Sequence, residues 1–310
     1  MKKFTIFLTL ILLGLLSCTN SDTPKESMTV LVPNGTPSIA QAYIEHEESS
    51  SYIIDRVSGP QSLVAAFTSQ SHDIIIAPVN LGANLYQKGI DYQLVGVLTW
   101  SNLQVISRFE INDLLTLSGK NIIAYGQGST PEMIIDFLIS QYNFQDEPII
   151  SYQASSVQEA YTFFLQDEES IAIVSEPISS QAKTMIDDLY VLDLAAIWTE
   201  QTKLDLFPQA GVFVKKSLET SKVLQYIEDI EIATNKANDN PSLIANYCES
   251  LDYPFEKIVI ESSIKLSQID FQSHLHSRDI INEYLNLIID FKSELIGNQL
   301  PDNDFYYPLS

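Results

Sequence analysis

Five short segments concentrate the residues that could meet a small molecule: Pro33-Asn34-Gly35-Thr36-Pro37-Ser38, Pro78-Val79-Asn80, Gly126-Gln127-Gly128-Ser129-Thr130-Pro131, Ala154-Ser155-Ser156 and Ser175-Glu176-Pro177. Their chemistry is uniform. Glycine lets a backbone approach a ligand, and Asn, Ser, Thr and Gln supply neutral donors and acceptors. Glu176 is the one charge among them, and no segment carries Lys or Arg; the three arginines, Arg56, Arg108 and Arg278, lie elsewhere. Ser, Thr and Asn also cap helices, and proline suits a first helical turn, so each segment taken alone equally marks a helix start. Gly126 to Pro131 exceeds what a cap needs, with two glycines beside Gln127, Ser129 and Thr130.

Covalent or acid–base catalysis has no comparable signature. The chain has no GxSxG elbow, no HExxH and no Walker loop, and GQGST lacks the lysine of a phosphate cradle. No catalytic residue, cofactor or resident metal is expected. One rival pattern is His274-Leu275-His276 near Asp279 and Glu283: if Phe271 to Ser277 is extended, both imidazoles share a side and could hold a metal.

The elements needed to position these segments follow from the hydrophobic pattern. Strands are predicted at Thr29 to Val32, Tyr52 to Val57, Asp73 to Ala77 and Gln93 to Thr99, with helices at Ser38 to Glu47, Gln61 to Ser69 and Asn80 to Lys88. Asp73 to Ala77 (DIIIA) is continuously apolar, as in a parallel sheet covered on both faces. A second series adds strands at Asn121 to Tyr125, Pro148 to Tyr152, Ile171 to Val174, Leu189 to Leu192 and Gly211 to Val214. Its helices are Pro131 to Tyr142, Val157 to Leu165 and Pro177 to Ile186. From Ser217 onward the pattern is mostly helical.

Two α/β units with a helical C-terminal part predict an α/β fold of two lobes, each a mixed sheet flanked by helices. The expected division is 28–101 for the first part of lobe 1, 102–208 for lobe 2, and 209–310 for the return to lobe 1. Crossings are expected around Trp100 to Ser107 and Phe207 to Gly211. Ligands bind beyond the carboxyl ends of strands in open α/β sheets, which is where the five segments fall.

The first seventeen residues place Lys2 and Lys3 before an apolar run from Phe4 to Leu16, a signal peptide by charge and length. Leu15-Leu16-Ser17-Cys18 resembles the lipobox of bacterial lipoproteins, which implies cleavage before Cys18 and lipidation of its thiol, palmitate among the acyl groups. Two acyl chains anchor a protein where one binds marginally. Residues 18–27 then form a polar tether, and the protein sits on the extracytoplasmic face of the cell membrane. Lipidated Cys18 leaves Cys248 without a disulfide partner, as a small buried apolar residue.

The chain of 310 residues carries a net charge of −23, and losing Lys2 and Lys3 leaves 15 basic against 40 acidic residues, or −25. Nucleic acid is excluded as a partner, because counterion release requires clustered Lys and Arg.

The quoted segments in order, NGTPSIA, HDIIIAPVNLGANLYQKG, LSGKNIIAYGQGSTPEMI, SIAIVSEPISSQA and LPDNDFYY, resemble the nitrate/sulfonate/taurine class of ABC-transporter substrate-binding proteins over nearly the whole mature chain. The resemblance implies a type 2 periplasmic-binding fold, two lobes closing on a small ligand, and delivery by a monomer to an ABC permease and ATPase. It puts Gly35, Thr36, Asn80, Gly128, Ser129, Thr130 and Glu176 against the ligand and Ser101 and Asn102 at the hinge. Trp100 and Tyr125 stand near enough to offer aromatic faces, with core packing as the alternative role for each. With no basic side chain in the loops, a neutral or cationic, planar ligand is expected. The alternatives are an extracytoplasmic metal-binding lipoprotein and a small-molecule enzyme on the same fold.

Overall fold

The computed structural model describes residues 27–309, so the signal peptide, Cys18 and nearly all of the tether lie outside the described residues. The chain begins as a series of parallel strands and crossover helices: β1 (Met28–Pro33), α1 (Thr36–Glu47), β2 (Tyr52–Val57), α2 (Pro60–Ser69), β3 (Ile74–Pro78) and α3 (Val79–Gln87). β1 pairs in parallel with β2 on one side and β3 on the other. Ile74, Ile75 and Ile76 are fully buried, as the unbroken apolar run requires of a central strand. A side-chain staple fixes the sheet's entry: Asp73 Oδ2 accepts from both the amide (2.9 Å) and the hydroxyl (3.0 Å) of Thr29.

β4 (Tyr92–Trp100) then runs straight into β5 (Leu103–Ser107), which belongs to a different sheet. The second sheet grows from β6 (Asn121–Ile123), α4 (Thr130–Ser140), β7 (Ile149–Ser151), α5 (Val157–Gln166), β8 (Ile171–Ser175), α6 (Ile178–Met185), β9 (Tyr190–Asp193) and α7 (Leu194–Thr202). The return is β10 (Pro208–Lys215), antiparallel to both β3 and β4. Then come α8 (Thr220–Asp239), α9 (Pro241–Ser250), α10 (Lys257–Ile264), β11 (Ile269–Ser273) and α11 (His274–Lys292). The sheets have orders β11-β4-β10-β3-β1-β2 and β7-β6-β8-β5-β9, both mixed and both flanked by helices. This is the two-sheet α/β architecture the pattern predicts.

The two chain crossings lie side by side and bond to each other. Ser101 N–H donates to Phe207 O (3.2 Å), and Phe207 N–H donates back to Ser101 Oγ (2.7 Å). One residue on, Asn102 N–H donates to Gln209 Oε1 (3.0 Å) and Gln209 Nε2 to Asn102 Oδ1 (2.5 Å). One apolar cluster continues behind these crossings, from Val97 and Trp100 through Leu103 and Phe207 to Trp198 and Tyr284. The pair of adjacent strands is therefore the only covalent route between the sheets among the described residues, and α11 packs across it: the Trp198 and Tyr284 rings meet edge-on at 6.2 Å.

Several elements differ from the pattern's reading. β5 falls inside what reads as a crossing, because LQVIS is short and its Gln104 interrupts the apolar run while still being buried. α7 falls where no element is predicted, α10 within the mostly helical C-terminal part without having been singled out there, and β11 interrupts that part by pairing antiparallel with β4. Cys248 is fully buried in α9, and burial pushes its thiol up to about 12, which keeps it protonated and inert.

Candidate functional site

The carboxyl ends of β1, β3, β6 and β8 feed α1, α3, α4 and α6, so their loops converge from both sheets on one space. That space is a cavity of about 440 Å³. Of the residues singled out in the sequence, Gly35, Thr36, Asn102, Ser129, Thr130 and Glu176 line it.

Thr36 joins three parts of the chain. Its hydroxyl donates to the Glu176 carbonyl across the cavity (2.9 Å), accepts from Asn102 Nδ2 at the crossing (3.2 Å), and lies 3.2 Å from Ser267 Oγ. On the other flank Thr130 Oγ1 donates to Asn80 Oδ1 (3.2 Å), and Asn80 Nδ2 reaches Gly128 O (3.4 Å). These bonds run between the two sheets on both sides of the cavity, so the conformation is closed. At the rim the approach is just as tight, since a Cβ on Gly59 would stand 3.3 Å from Ser155 O.

The loop ahead of α4 depends on its glycines. Gly126 has φ +74°, and a Cβ there would meet Pro131 Cγ at 2.8 Å. Ser129 Oγ donates back to Gly126 O (2.9 Å), and Glu132 Oε2 accepts the Gly128 amide (2.5 Å). The loop is thus pinned from below by a carboxylate.

Among the described residues Glu176 is the only carboxyl lining the cavity, and no Lys or Arg lines it. The residue is 2% exposed; Oε2 accepts the Ser180 amide (3.1 Å), and Oε1 has no partner among the described residues. Burial raises its pKa, against the lowering effects of hydrogen bonding from Ser180 and of the Lys183 charge. Tyr125 also lines the cavity; burial pushes its phenol up to about 12, with Ser175 pulling the other way, so it stays a neutral hydrogen-bonding group.

Four of the residues singled out in the sequence stand elsewhere. Asn80 is fully buried behind the loop and braces Thr130. Gly128 faces a shallow outer groove beside α2. Ser101 lies in the crossing, where the resemblance puts a hinge residue, and Trp100 is buried in the core with its indole N–H donating to Asp270 O (2.8 Å). Conversely, Ser58, Gly59 and Pro60, Gln181, Gln209 and Phe255 line the cavity without having been singled out. Ser58-Gly59-Pro60 follows a strand and opens a helix just as Asn34-Gly35-Thr36-Pro37 does, which is the signal that could have found it. Gln181 lies inside a helix and Phe255 arrives from a distant loop, and neither has a local signal.

The metal reading of His274 and His276 fails on geometry. The segment is not extended: both residues are in the first turn of α11, where positions two apart diverge by roughly 200°. His274 Nε2 lies 2.6 Å from Tyr307 O and His276 Nδ1 3.2 Å from Ser273 Oγ. Among the described residues no three His, Cys, Asp or Glu gather to hold an ion.

Neither a protein-family model nor a curated protein matches the sequence. Solved structures do match in fold. An ABC transporter structure from Parabacteroides distasonis is 21% identical, with TM-score 0.79, 92% of this chain and 99% of that one covered. The periplasmic aliphatic sulphonate binding protein SsuA from Escherichia coli is 14% identical with TM-score 0.70, covering 92% and 93%. A Candida albicans gene product described as having the generic periplasmic binding protein structural fold is 12% identical, with TM-score 0.61 over 90% and 94%. The chain has the periplasmic-binding-protein fold.

Proposed function

We propose that this protein is an extracytoplasmic solute-binding lipoprotein that encloses one small organic molecule between its lobes, 28–101 with 209–310 and 102–208, and delivers it to an ABC permease and ATPase. The observation that carries this reading is the cavity itself. It is enclosed by hydrogen bonds between two sheets that, among the described residues, two adjacent crossings connect, and its lining offers hydrogen-bonding groups of the kind that hold a small molecule. The sulphonate-binding relative supports the transport class, while the lining differs from what an anion would favour: with one carboxylate and no basic side chain, it suits a neutral or cationic ligand.

Closure should be measurable. When the low-molecular-weight fraction of growth medium is added, small-angle scattering should show a smaller radius of gyration, and the melting temperature should rise by mass action. An unchanged radius with an unshifted melting temperature overturns the reading. Consumption of the captured compound would identify an enzyme instead.

The anchor has its own test. Cys18→Ser should abolish acylation and move the protein from the detergent phase to the aqueous phase, leaving solute capture intact because the tether separates anchor from lobes. Continued detergent partitioning of that variant would rule out the lipobox reading. One acylated copy suffices for the task, so the protein is expected to act as a monomer.

A further inference from the structure

We infer that Glu176 is the ligand's charge-reading group, and that the solute captured carries a positively charged nitrogen, an ammonium or amidinium, whose N–H meets Glu176 Oε1. This deepens the solute-binding reading and rests on it.

The carboxylate is half satisfied. Oε2 has the Ser180 amide, whereas Oε1 is buried and has no hydrogen-bond or ion-pair partner among the described residues. Gln181 Oε1, from the same helix and also lining the cavity, is equally unpartnered. Two buried acceptors on one wall call for a ligand that brings donors. A carboxylate has room for several, and leaving one of its oxygens dry and unbonded is costly.

The group is also held in place rather than free to seek solvent. The Glu176 carbonyl receives the Thr36 hydroxyl from the opposite lobe, so the carboxylate's backbone forms part of the closed cleft. A solvated role is excluded by its 2% exposure. The nearest cation acting on the carboxyl is Lys183, whose charge pulls the Glu176 pKa down without forming an ion pair, since the described salt bridges do not include Glu176. Burial favours its neutral form until a cation arrives, and the attraction between the two charges in a site closed from water then stabilises the ionised form. Tyr125 and Phe255 line the same cavity and supply aromatic surface suited to a cation. An oxyanion would find neutral donors in the lining but would face the Glu176 carboxyl with no basic side chain among the described lining residues to offset it.

The test uses the full chain solubilised from membranes of expressing cells. The protein is incubated with the low-molecular-weight fraction of growth medium and cell extract and collected by ultrafiltration. Bound compounds are identified by mass spectrometry and sorted by charge at neutral pH on cation and anion exchangers. The captured compound should be retained by the cation exchanger. Glu176→Gln should bind it about 10- to 100-fold more weakly, as expected for a lost charged hydrogen bond, with its melting temperature no lower than the wild type. Glu176→Asp, which keeps the charge on a shorter arm, should fall between the two and guards against a folding defect in the first variant. Capture of a neutral or anionic compound, or unweakened binding by Glu176→Gln, overturns the assignment while leaving solute binding in place. Capture of nothing by the wild type removes the solute-binding reading itself, and the Glu176 assignment with it.

Discussion

Trp100→Ala should lower the folding stability by about 3–5 kcal/mol, the usual cost of emptying a large buried aromatic site. Ligand affinity of the folded protein should nevertheless be nearly unchanged. Trp100 ends β4 immediately before the crossing and is fully buried. Its indole N–H donates to Asp270 O at 2.8 Å and its amide to Gln268 O at 3.1 Å, so the side chain ties β4 to the β11 edge of the first sheet. None of its surface belongs to the cavity. Trp100→Phe separates the two contributions: it keeps most of the packing, loses the indole donor and leaves the Asp270 carbonyl short of a partner, for about 1–2 kcal/mol. Denaturant unfolding measures both, with binding titrations run well below the unfolding midpoint. A Trp100→Phe variant of unchanged stability that binds ten-fold more weakly would return this residue to the ligand, the second of the two roles its sequence position allows.

That contrast marks what the sequence discloses. An aromatic next to a crossing looks the same whether its ring faces a cleft or a core, because burial direction at a strand end depends on which sheet edge arrives there. β11 arrives from 170 residues away, and its five residues lack a pattern strong enough to be read as a strand. Continuous apolar strands such as Ile74–Pro78, in contrast, identify themselves, and so do the loops after them, because a parallel sheet forces strand ends and helix starts to one edge. Gly35, Thr36, Ser129, Thr130 and Glu176 were legible for that reason. Asn80 shows the limit of the same rule: it sits at a strand end as required, yet its side chain is spent on Thr130 and Gly128, fifty residues on. Gln181, Gln209 and Phe255 enter the cavity through tertiary placement alone, and Phe255 packs against the apolar clusters of both sheets at once. The His274 and His276 reading failed on a single local fact, the residue at which α11 begins.

Lys292→Met should have the second large effect, and it couples the back of the molecule to the cavity. Lys292 closes α11, and its Nζ lies 2.7 Å from Glu132 Oε1 and 3.0 Å from Asp136 Oδ2, both on α4 of the second sheet. Glu132 is poorly placed to lose its cation, with 9% side-chain exposure and its other oxygen accepting the Gly128 amide. Asp136 is further engaged by the Tyr152 hydroxyl at 2.9 Å. Burial alone would lower the Lys292 pKa, but the bonds to Glu132 and Asp136 outweigh it and hold the ammonium charged beyond the ordinary lysine range. Removing one partner of a fully buried pair costs ~3–5 kcal/mol; Lys292 keeps 25% side-chain exposure, so solvent screening reduces the expected loss to about 2–3 kcal/mol. A raised pKa in the folded state means this contribution is complete below the unfolded lysine's pKa and disappears as pH climbs through the folded value. The wild type should therefore lose its advantage over Lys292→Met only in strongly alkaline solution, and unfolding titrations across that range measure it. Because Glu132 holds the Gly126–Ser129 loop against the cavity, the variant should also bind its solute several-fold more weakly while Glu176 remains untouched. Lost stability with unaltered affinity would mean that Glu132 keeps the Gly128 amide without help from α11. Lost affinity with unaltered stability would mean that the bridge acts in closure alone, because a contact formed only when the lobes meet stabilises the closed state and contributes nothing to a global unfolding measured from an open one.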